Sequence, residues 1–299
     1  MSDTPPVIDY EGSDYQTSFW ERGGRAYEDG VEAVALKRLL PPGGQRMLDL
    51  GAGAGRNVPR YKNFDQVVLL DYSLSQLQQA QQRLGDRERY LYVAANVYHL
   101  PFTEGAFDAA TMVRVIHHLA EAPRALAQIH QTLSRGGTFV LEYANKQNLK
   151  AILRYALGRQ RWSPFAPEPV EFVELNFDFH PRTMRQWLGE AGFVVQRQLT
   201  VSHFRIGLLK RLLPARMLVG MDALAQITGN WWQLTPSVFV RSQAGGAGQR
   251  PFSSAIFCCP ACGSHELEET KAGMDCRGCG QHWPRLGGIY DFRYPRPTG

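Results

Sequence analysis

The fold is decided by one stretch, Met47-Leu48-Asp49-Leu50-Gly51-Ala52-Gly53-Ala54-Gly55. An apolar run with an acidic residue, followed by glycine at every second position, predicts a buried strand that turns sharply beneath a ligand. Glycine suits that turn because the absence of a side chain lets the ligand approach the backbone. The dinucleotide-binding fingerprint requires its third glycine three residues after the second. Arg56 stands at that position, so the fingerprint fails.

A second predicted strand supplies an acidic residue to the same site. Residues 67–71 form a continuous apolar run that ends in Asp71, as expected of a central parallel strand buried on both faces. Asp71 follows the glycines by about twenty residues, where an acid can accept both hydroxyls of a ribose. Ser73 and Gln76 form a capping box for the next helix, so Asp71 is not required as its cap.

The glycine spacing, with Asp49 before it and Asp71 after it, resembles the first cofactor motif of class I S-adenosylmethionine-dependent methyltransferases. In that family the glycine loop passes beneath the amino-acid end of the cofactor, and an acid after the third strand accepts the adenine amino group. Asn96 stands at the latter position, and its carbonyl can accept the same bond without charge. The resemblance implies a cofactor site made of Asp49, Gly51, Gly53, Gly55, Asp71, Tyr72, Asn96, Val97 and Arg114.

Strands and helices alternate from the glycine stretch to residue 143. This alternation predicts an α/β fold with a doubly wound, mostly parallel, Rossmann-like sheet. The family resemblance implies seven strands in that sheet. Beyond the two strands above, we predict strands at 90–95, 106–113, 138–143, 194–201 and 237–240, and helices at 30–40, 74–84, 121–133 and 184–188.

Two segments, at about 146–180 and 203–234, interrupt this pattern as insertions. Residues 201–250 carry six Lys or Arg side chains against one acid. Such an excess suits a polyanion, a membrane surface or a solvated basic face. We expect a helical cap that forms an apolar ceiling over the substrate, with a membrane-facing helix as the alternative. The apolar residues with helical spacing, broken at Pro214, are Ile206, Leu209, Leu213, Met217, Met221, Leu224 and Ile227.

All five cysteines lie between Cys258 and Cys279, so a disulfide framework is not indicated. Two CxxC turns can place four thiolates around one tetrahedral zinc ion. A segment of about 45 residues requires such a cross-link to fold. Cys258 is not a predicted ligand, because it is Cys259 that has two residues between itself and Cys262. The predicted ligands of a structural Zn²⁺ are Cys259, Cys262, Cys276 and Cys279.

The tail at 281–290 resembles the small zinc-ribbon activator subunit shared by tRNA, ribosomal RNA and release-factor methyltransferases. Residues 251–299 contain five basic and five acidic side chains, and four thiolates with one zinc ion add about −2. A ribbon without a positive field binds phosphates poorly. We therefore expect the tail to support the catalytic domain or to dock a protein partner.

Length and composition agree with a large domain followed by a small one, since the chain has 299 residues, 44% of them apolar, and a net charge of +5. Neither a signal peptide nor a membrane-spanning run is present, which predicts a cytoplasmic protein. The first twelve residues are predicted to be disordered. We divide the chain into an N-terminal arm or lid at 1–29, a methyltransferase domain at 30–241, a flexible linker at 242–253 and a zinc-ribbon at 254–299.

The implied reaction is in-line attack on the sulfonium methyl group, which requires alignment and, for some acceptors, a general base. Candidates for the base are His117, His118, His180 and Glu142, and we select His117 and His118 because they follow the fourth strand. No Asn/Asp-Pro-Pro-aromatic motif follows that strand, which disfavours attack by exocyclic base nitrogens. No cysteine precedes Cys258, which excludes covalent attack on a pyrimidine ring.

Three functions remain open at this point. The first is methyl transfer to a small molecule that is apolar or bears a carboxylate, which the insertions favour. The second is methylation of tRNA, ribosomal RNA or a translation factor, which the tail and the basic window favour. The third is a cofactor-binding interaction protein without catalysis.

Overall fold

A computed structural model describes residues 5–8, 10–13, 25–85, 88–245 and 251–297. Most of the predicted N-terminal arm, together with residues 246–250 of the predicted linker, lies outside the described residues. Among the described residues, no helix is long and apolar enough to cross a membrane.

The described chain contains α-helices and β-strands that we number in chain order. The helices are α1 Ala26–Leu39, α2 Leu74–Leu84, α3 Ala122–Thr132, α4 Leu149–Ala156, α5 Pro181–Glu190, α6 Gly207–Leu212 and α7 Ala215–Ala225. The strands are β1 Gly44–Leu50, β2 Phe64–Asp71, β3 Tyr90–Ala94, β4 Phe107–Met112, β5 Leu133–Ala144, β6 Val170–Val173, β7 Asn176–Asp178, β8 Phe193–Val201, β9 Ser237–Ala244, β10 Leu267–Glu269, β11 Gly273–Cys276, β12 Gln281–Leu286, β13 Ile289–Asp291 and β14 Arg296–Pro297.

The centre of the molecule is a mostly parallel sheet, as the alternating pattern predicts. Seven of its strands lie in the order β3-β2-β1-β4-β5-β9-β8. The first five are mutually parallel, and β9 runs antiparallel to both β5 and β8. Leu50 pairs with Leu70 on one side and with Met112 on the other. The tips of the parallel strands therefore meet at one edge, where ligands of open α/β sheets bind.

The helix after β2 begins with a cap that differs in part from the predicted capping box. Ser73 accepts a hydrogen bond from the Gln76 amide at 3.3 Å, as predicted. The Ser73 amide, however, donates to the Asp71 carboxylate at 2.9 Å, and the Gln76 side chain donates to the backbone oxygen of Ser13. Asp71 therefore takes part in the cap, because its short side chain reaches an amide two residues ahead.

The tail continues the central sheet. Strand β13 pairs in parallel with β3, and β12, β11 and β10 follow it outward. The Phe292 amide donates to the Ala94 carbonyl at 2.7 Å, and the rings of Phe102 and Phe257 stack with centroids 6.0 Å apart. The zinc-ribbon expected at 254–299 is thus joined to the methyltransferase part by backbone pairing and by a shared apolar core. Residues 242–244 of the predicted flexible linker belong to β9.

Both insertions leave the sheet at the edge formed by the tips of the parallel strands. The first, which follows β5, holds α4 and the β6-β7 hairpin, and the second, which follows β8, holds α6 and α7. The single apolar face expected for the second insertion is divided at Pro214. Leu209 and Leu213 pack on the core beside α1, whereas Met217 is exposed.

Candidate functional site

The loop after β1 carries three glycines with positive φ angles, +69° at Gly51, +51° at Gly53 and +73° at Gly55. A side chain at Gly51 would meet Val115 at 2.1 Å, and one at Gly55 would meet Leu84 at 2.9 Å. At Gly53 the nearest atom would be the Gln76 side-chain oxygen at 3.8 Å, so that position opens into a cleft. The expected access of a ligand to bare backbone therefore applies to Gly53, while the other two glycines are required by the packing of the protein itself.

Asp71 ties this loop to the tip of β2. Its carboxylate accepts the Gly53 amide at 2.8 Å and the Ser73 amide at 2.9 Å. The neighbouring Tyr72 lines the cleft, and its hydroxyl lies 2.9 Å from the Tyr294 hydroxyl. Arg293 donates to the Tyr72 carbonyl at 3.0 Å. The tail thus contacts the wall of the cleft directly.

Asp49 lies beneath the loop and is buried away from the cleft wall. One carboxylate oxygen accepts the Tyr61 hydroxyl at 3.0 Å and the Thr111 hydroxyl at 2.8 Å. The other oxygen is buried without a hydrogen-bond partner among the described residues. Burial raises the pKa of Asp49 to about 6, although the hydrogen bonds from the two hydroxyl groups act to lower it.

Two predicted cofactor residues follow β3. Val97 lies in the cleft wall, whereas the Asn96 side chain bonds within its own loop. Val97 lines the cleft, as does Ala95. The Asn96 side-chain oxygen accepts the Tyr98 amide at 2.9 Å, which holds the turn that follows β3. Asn96 therefore serves its own backbone, a use typical of asparagine in turns.

A buried acid on α1, which no sequence motif indicates, organises the opposite wall of the cleft. Glu32 pairs with Arg56 at 2.7 Å and with Arg114 at 2.5 Å, and both arginines line the cleft. Arg114 has a φ angle of +61°, and its amide donates to Glu142 at 2.9 Å. Asp29 also pairs with Arg56. The two acids lie three residues apart in α1, but a three-residue spacing alone indicates no partner.

The two predicted catalytic histidines occupy different environments. His118 lines the cleft, with Nδ1 3.2 Å from the Leu175 carbonyl and Nε2 3.2 Å from the Tyr10 hydroxyl. Because a carbonyl only accepts, this arrangement assigns the proton to Nδ1 and leaves Nε2 as the acceptor. Burial lowers the pKa of His118 and lowers that of His117 further, and Nδ1 of His117 has no partner among the described residues.

Part of the N-terminal segment, expected to be disordered, is described at the cleft. Val7, Ile8 and Tyr10 line it. Glu11 accepts the Leu74 amide at 2.8 Å at the start of α2, where a carboxylate also complements the helix dipole. The remaining predicted candidates, Glu142 and His180, hold the Arg114 backbone and cap α5, respectively.

The cleft has the chemistry that S-adenosylmethionine requires. Gly53 exposes backbone, Asp71 supplies a carboxylate beside it, and apolar Ala95 and Val97 offer a surface for adenine. The full lining is Val7, Ile8, Tyr10, Leu50, Gly51, Ala52, Gly53, Ala54, Arg56, Asn57, Leu70, Asp71, Tyr72, Gln76, Ala95, Val97, Met112, Val113, Arg114, Val115, His118 and Leu119. Of the predicted cofactor residues, Asp49, Gly55 and Asn96 are outside this lining.

The four cysteines of the two CxxC turns come together in the tail. Their sulfur atoms all lie within 4.8 Å of one another. Cys259 and Cys279 are 3.7 Å apart, and Cys262 and Cys276 are 3.6 Å apart. A disulfide would need about 2.05 Å, whereas a tetrahedron of zinc-bound thiolates has edges of about 3.8 Å. The donor set therefore fits a tetrahedral metal ion.

Comparisons with known proteins point to a methyltransferase. Residues 48–141 match the family described as a methyltransferase domain. The chain is similar to a demethylmenaquinone methyltransferase of Clavibacter sepedonicus, 28% identical over 58% of this chain and 77% of that protein. It is also similar to the ubiquinone/menaquinone biosynthesis C-methyltransferase UbiE of Serratia proteamaculans (strain 568), 29% identical over 50% of this chain and 66% of that protein.

Solved structures share the fold. One is a chain from the Haloferax volcanii complex of the Trm112 methyltransferase activator with a methyltransferase, with a TM-score of 0.55, 16% identity and coverage of 78% of this chain and 96% of that chain. Another is an S-adenosylmethionine-dependent methyltransferase of Mesorhizobium loti, with a TM-score of 0.53, 22% identity and coverage of 73% and 99%. Sheet, cleft and matched family together define an S-adenosylmethionine-dependent methyltransferase.

The first prediction concerns Asp71. Asp71→Asn replaces an acceptor of the Gly53 and Ser73 amides with a group that also donates, and removes the charge offered to a ribose. Bonds to charged groups contribute about 1.5–3 kcal/mol, so we expect S-adenosylhomocysteine to bind at least about tenfold more weakly by calorimetry. Asp65→Asn, an exposed change on the same strand, is the matched control. An affinity within twofold of wild type would refute the assignment.

The second prediction concerns Asp49, whose pKa in the folded chain, about 6, lies above its usual value. The folded state therefore binds the proton more tightly than the unfolded state between about pH 4 and 6. The stabilisation is complete below about pH 4 and is lost as pH rises to about 6, a change of about 3 kcal/mol. In urea unfolding, we expect the free energy of unfolding of wild type to fall by about 3 kcal/mol relative to that of Asp49→Asn between about pH 4 and 6. A difference that does not vary with pH would contradict the assignment.

Proposed function

We propose that this enzyme methylates a small, largely apolar acceptor of the quinol class. The observation that carries the proposal is the composition of the cleft beyond the glycine loop. Apart from the glycine loop, the lining includes the apolar side chains of Val7, Ile8, Val115 and Leu119, together with His118. The names of the two relatives, which refer to menaquinone and ubiquinone biosynthesis, support the same class of acceptor.

The bound cofactor would supply an activated methyl group on a good leaving group, so the protein must mainly align the acceptor. A ring carbon of a quinol becomes nucleophilic as its hydroxyl loses a proton, and a neutral imidazole can accept that proton. His118 meets this requirement because burial lowers its pKa and because its Nε2 is an acceptor at the cleft. His117, which packs 4.1 Å from His118 between ring centroids, holds that ring in place.

The third prediction tests acceptor class and base together. With radiolabelled S-adenosylmethionine, we expect transfer to demethylmenaquinone reduced to its quinol and to the lipid fraction of a bacterial extract. We expect His118→Gln to lower kcat by about a hundredfold, with S-adenosylhomocysteine affinity within a few-fold of wild type. His99→Gln, outside the cleft lining, is the matched control.

Three outcomes would contradict this proposal. Label in RNA or protein, but not in lipid, would assign the enzyme to another acceptor class. Full activity of His118→Gln on the quinol would remove the proposed base. Label in no fraction, despite tight binding of S-adenosylhomocysteine, would favour a cofactor-binding protein without catalysis.

The tail is proposed to hold one structural zinc ion. The support is the spacing of the four sulfur atoms, which fits tetrahedral thiolate coordination. The cluster lies beside β12 and β13, whose Trp283 and Tyr290 are part of the main apolar core. A metal ion there would stabilise the tail strands and, through β13, the edge of the central sheet.

The fourth prediction concerns the metal. We expect about one zinc ion per chain by elemental analysis, released by a strong chelator with a lower thermal unfolding midpoint. Cys262→Ser is expected to lower the zinc content. Cys258→Ser is the matched control, because Cys258 donates to the Phe102 carbonyl at 3.1 Å and lies outside the cluster. A purified chain without metal that unfolds at the same temperature before and after chelation would refute the site.

A further inference from the structure

The exposed side of α7 carries large apolar residues, and its buried side includes a charged one. Outward, at helical spacing, lie Met217, Met221 and Leu224, and Leu224 is 76% exposed. Inward lie buried Leu218 and Asp222 and, just past the helix, buried Gln226. In a helix that only covers a core, the apolar stripe faces inward. Here large apolar residues lie on the outward side as well.

Hydrogen bonds fix the helix in this orientation. The Asp222 carboxylate accepts the Tyr27 hydroxyl at 2.6 Å and the His203 amide at 2.7 Å. The Gln226 side chain donates to the Val31 carbonyl at 3.0 Å. A rotation that buried Leu224 would leave these polar groups without partners, at a cost that apolar burial would have to exceed. The outward stripe is therefore a stable feature of the fold.

The stripe continues into the other insertion. Past α7 the chain exposes Ile227 and then Trp231, which is 75% exposed. The Leu149 amide donates to the Leu234 carbonyl at 2.8 Å, which places the start of α4 beside this segment. We call the combined surface the outer apolar face; its members are Leu149, Leu153, Leu157, Met217, Met221, Leu224, Ile227, Trp231, Trp232 and Leu234.

Basic side chains accompany this face. Residues 147–161, which include α4, contain four basic residues and no acid, and α6 and α7 each add an exposed arginine. The acids of the first insertion lie later, at 168–178, on and beside the β6-β7 hairpin. The exposed basic residues of the outer apolar face are Lys150, Arg154, Arg159, Arg161, Arg211 and Arg216.

We propose that the outer apolar face binds the surface of a lipid membrane that contains anionic lipids. Contiguous exposed apolar surface on this scale marks an interaction site. Apolar side chains flanked by Lys and Arg are the composition of helices that lie in the bilayer interface, where anionic headgroups attract the basic residues. Tryptophan, here Trp231 and Trp232, is enriched at that depth. A nucleic acid would be attracted by the charge but gains nothing from the aliphatic side chains.

The position of the face suits an apolar acceptor. Both insertions leave the sheet at the edge where Gly53 and Asp71 lie, because β5 and β8 end there. The outer apolar face therefore belongs to segments that begin at the same edge of the sheet as the cleft. Membrane binding does not require the proposed function, since it depends on the outer apolar face alone.

The fifth prediction is tested by sedimentation of the full chain with lipid vesicles. We expect binding to vesicles of three parts phosphatidylcholine to one part phosphatidylglycerol, and at least about fivefold less binding to pure phosphatidylcholine or at high salt. Leu224→Glu and Trp231→Glu should each reduce binding about tenfold, because each places a charge among acyl chains. Arg216→Glu should weaken binding to the anionic vesicles. Affinity for S-adenosylhomocysteine should remain unchanged in all three variants.

Matched controls lie elsewhere on the surface. Val194→Glu changes an apolar residue that is 60% exposed at the opposite end of β8, and Arg135→Glu changes an exposed arginine at the start of β5. Both should bind vesicles as wild type does. Wild type that stays in solution with anionic vesicles would overturn the proposal, as would equal losses in Val194→Glu and Leu224→Glu. A dimer in solution that Leu224→Glu dissociates, without vesicle binding, would assign the face to a second copy of the chain.

Discussion

The hydrogen bond between the Gly53 amide and the Asp71 carboxylate is the contact on which the cofactor cleft depends. It spans 2.8 Å between the tips of two adjacent parallel strands. A loop with three glycines has many backbone conformations open to it, and the carboxylate selects one. The same carboxylate accepts the Ser73 amide, so the loop, the β2 tip and the start of α2 become one unit. Glu11 then joins the N-terminal segment to this unit.

The far wall depends on a different kind of constraint, a buried acid shared between two arginines. Glu32 holds Arg56 and Arg114, and each guanidinium satisfies part of a charge that burial would otherwise make costly. Arg114 itself adopts a φ angle that residues with side chains seldom adopt. Glu142, bonded to its amide, and Glu32, bonded to its side chain, hold it there from two elements. Strain of this kind persists only where several contacts determine it, and it is typical of binding sites.

The sequence predicts elements and strand tips well because those depend on local periodicity. The glycine loop, Asp71 and His118 lie at the cleft for this reason, since parallel strands bring their carboxyl ends together. Glu32 was missed because its partners lie 24 and 82 residues away, and nothing in a helix pattern specifies such pairs. Asn96 was identified by its position, yet its side-chain oxygen serves a local turn. The N-terminal segment was missed because its order comes from contacts with α2 and His118 rather than from its own composition.

The tail is another part of the fold whose contacts local sequence patterns do not predict, and these contacts affect the cleft. Four cysteines with regular spacing indicate a metal-binding module, but edge pairing depends on backbone and leaves little trace in side chains. Without β13, strand β3 would present an open edge of the parallel sheet, a surface that folded proteins generally cover. The pairing also has a direction. Because β13 runs parallel to β3, its end lies at the same edge as the cleft, and the next residues, Arg293 and Tyr294, reach Tyr72. An antiparallel strand would have covered the edge equally well and pointed these side chains away. The parallel arrangement therefore links the tail that carries the four cysteines to the wall of the cleft.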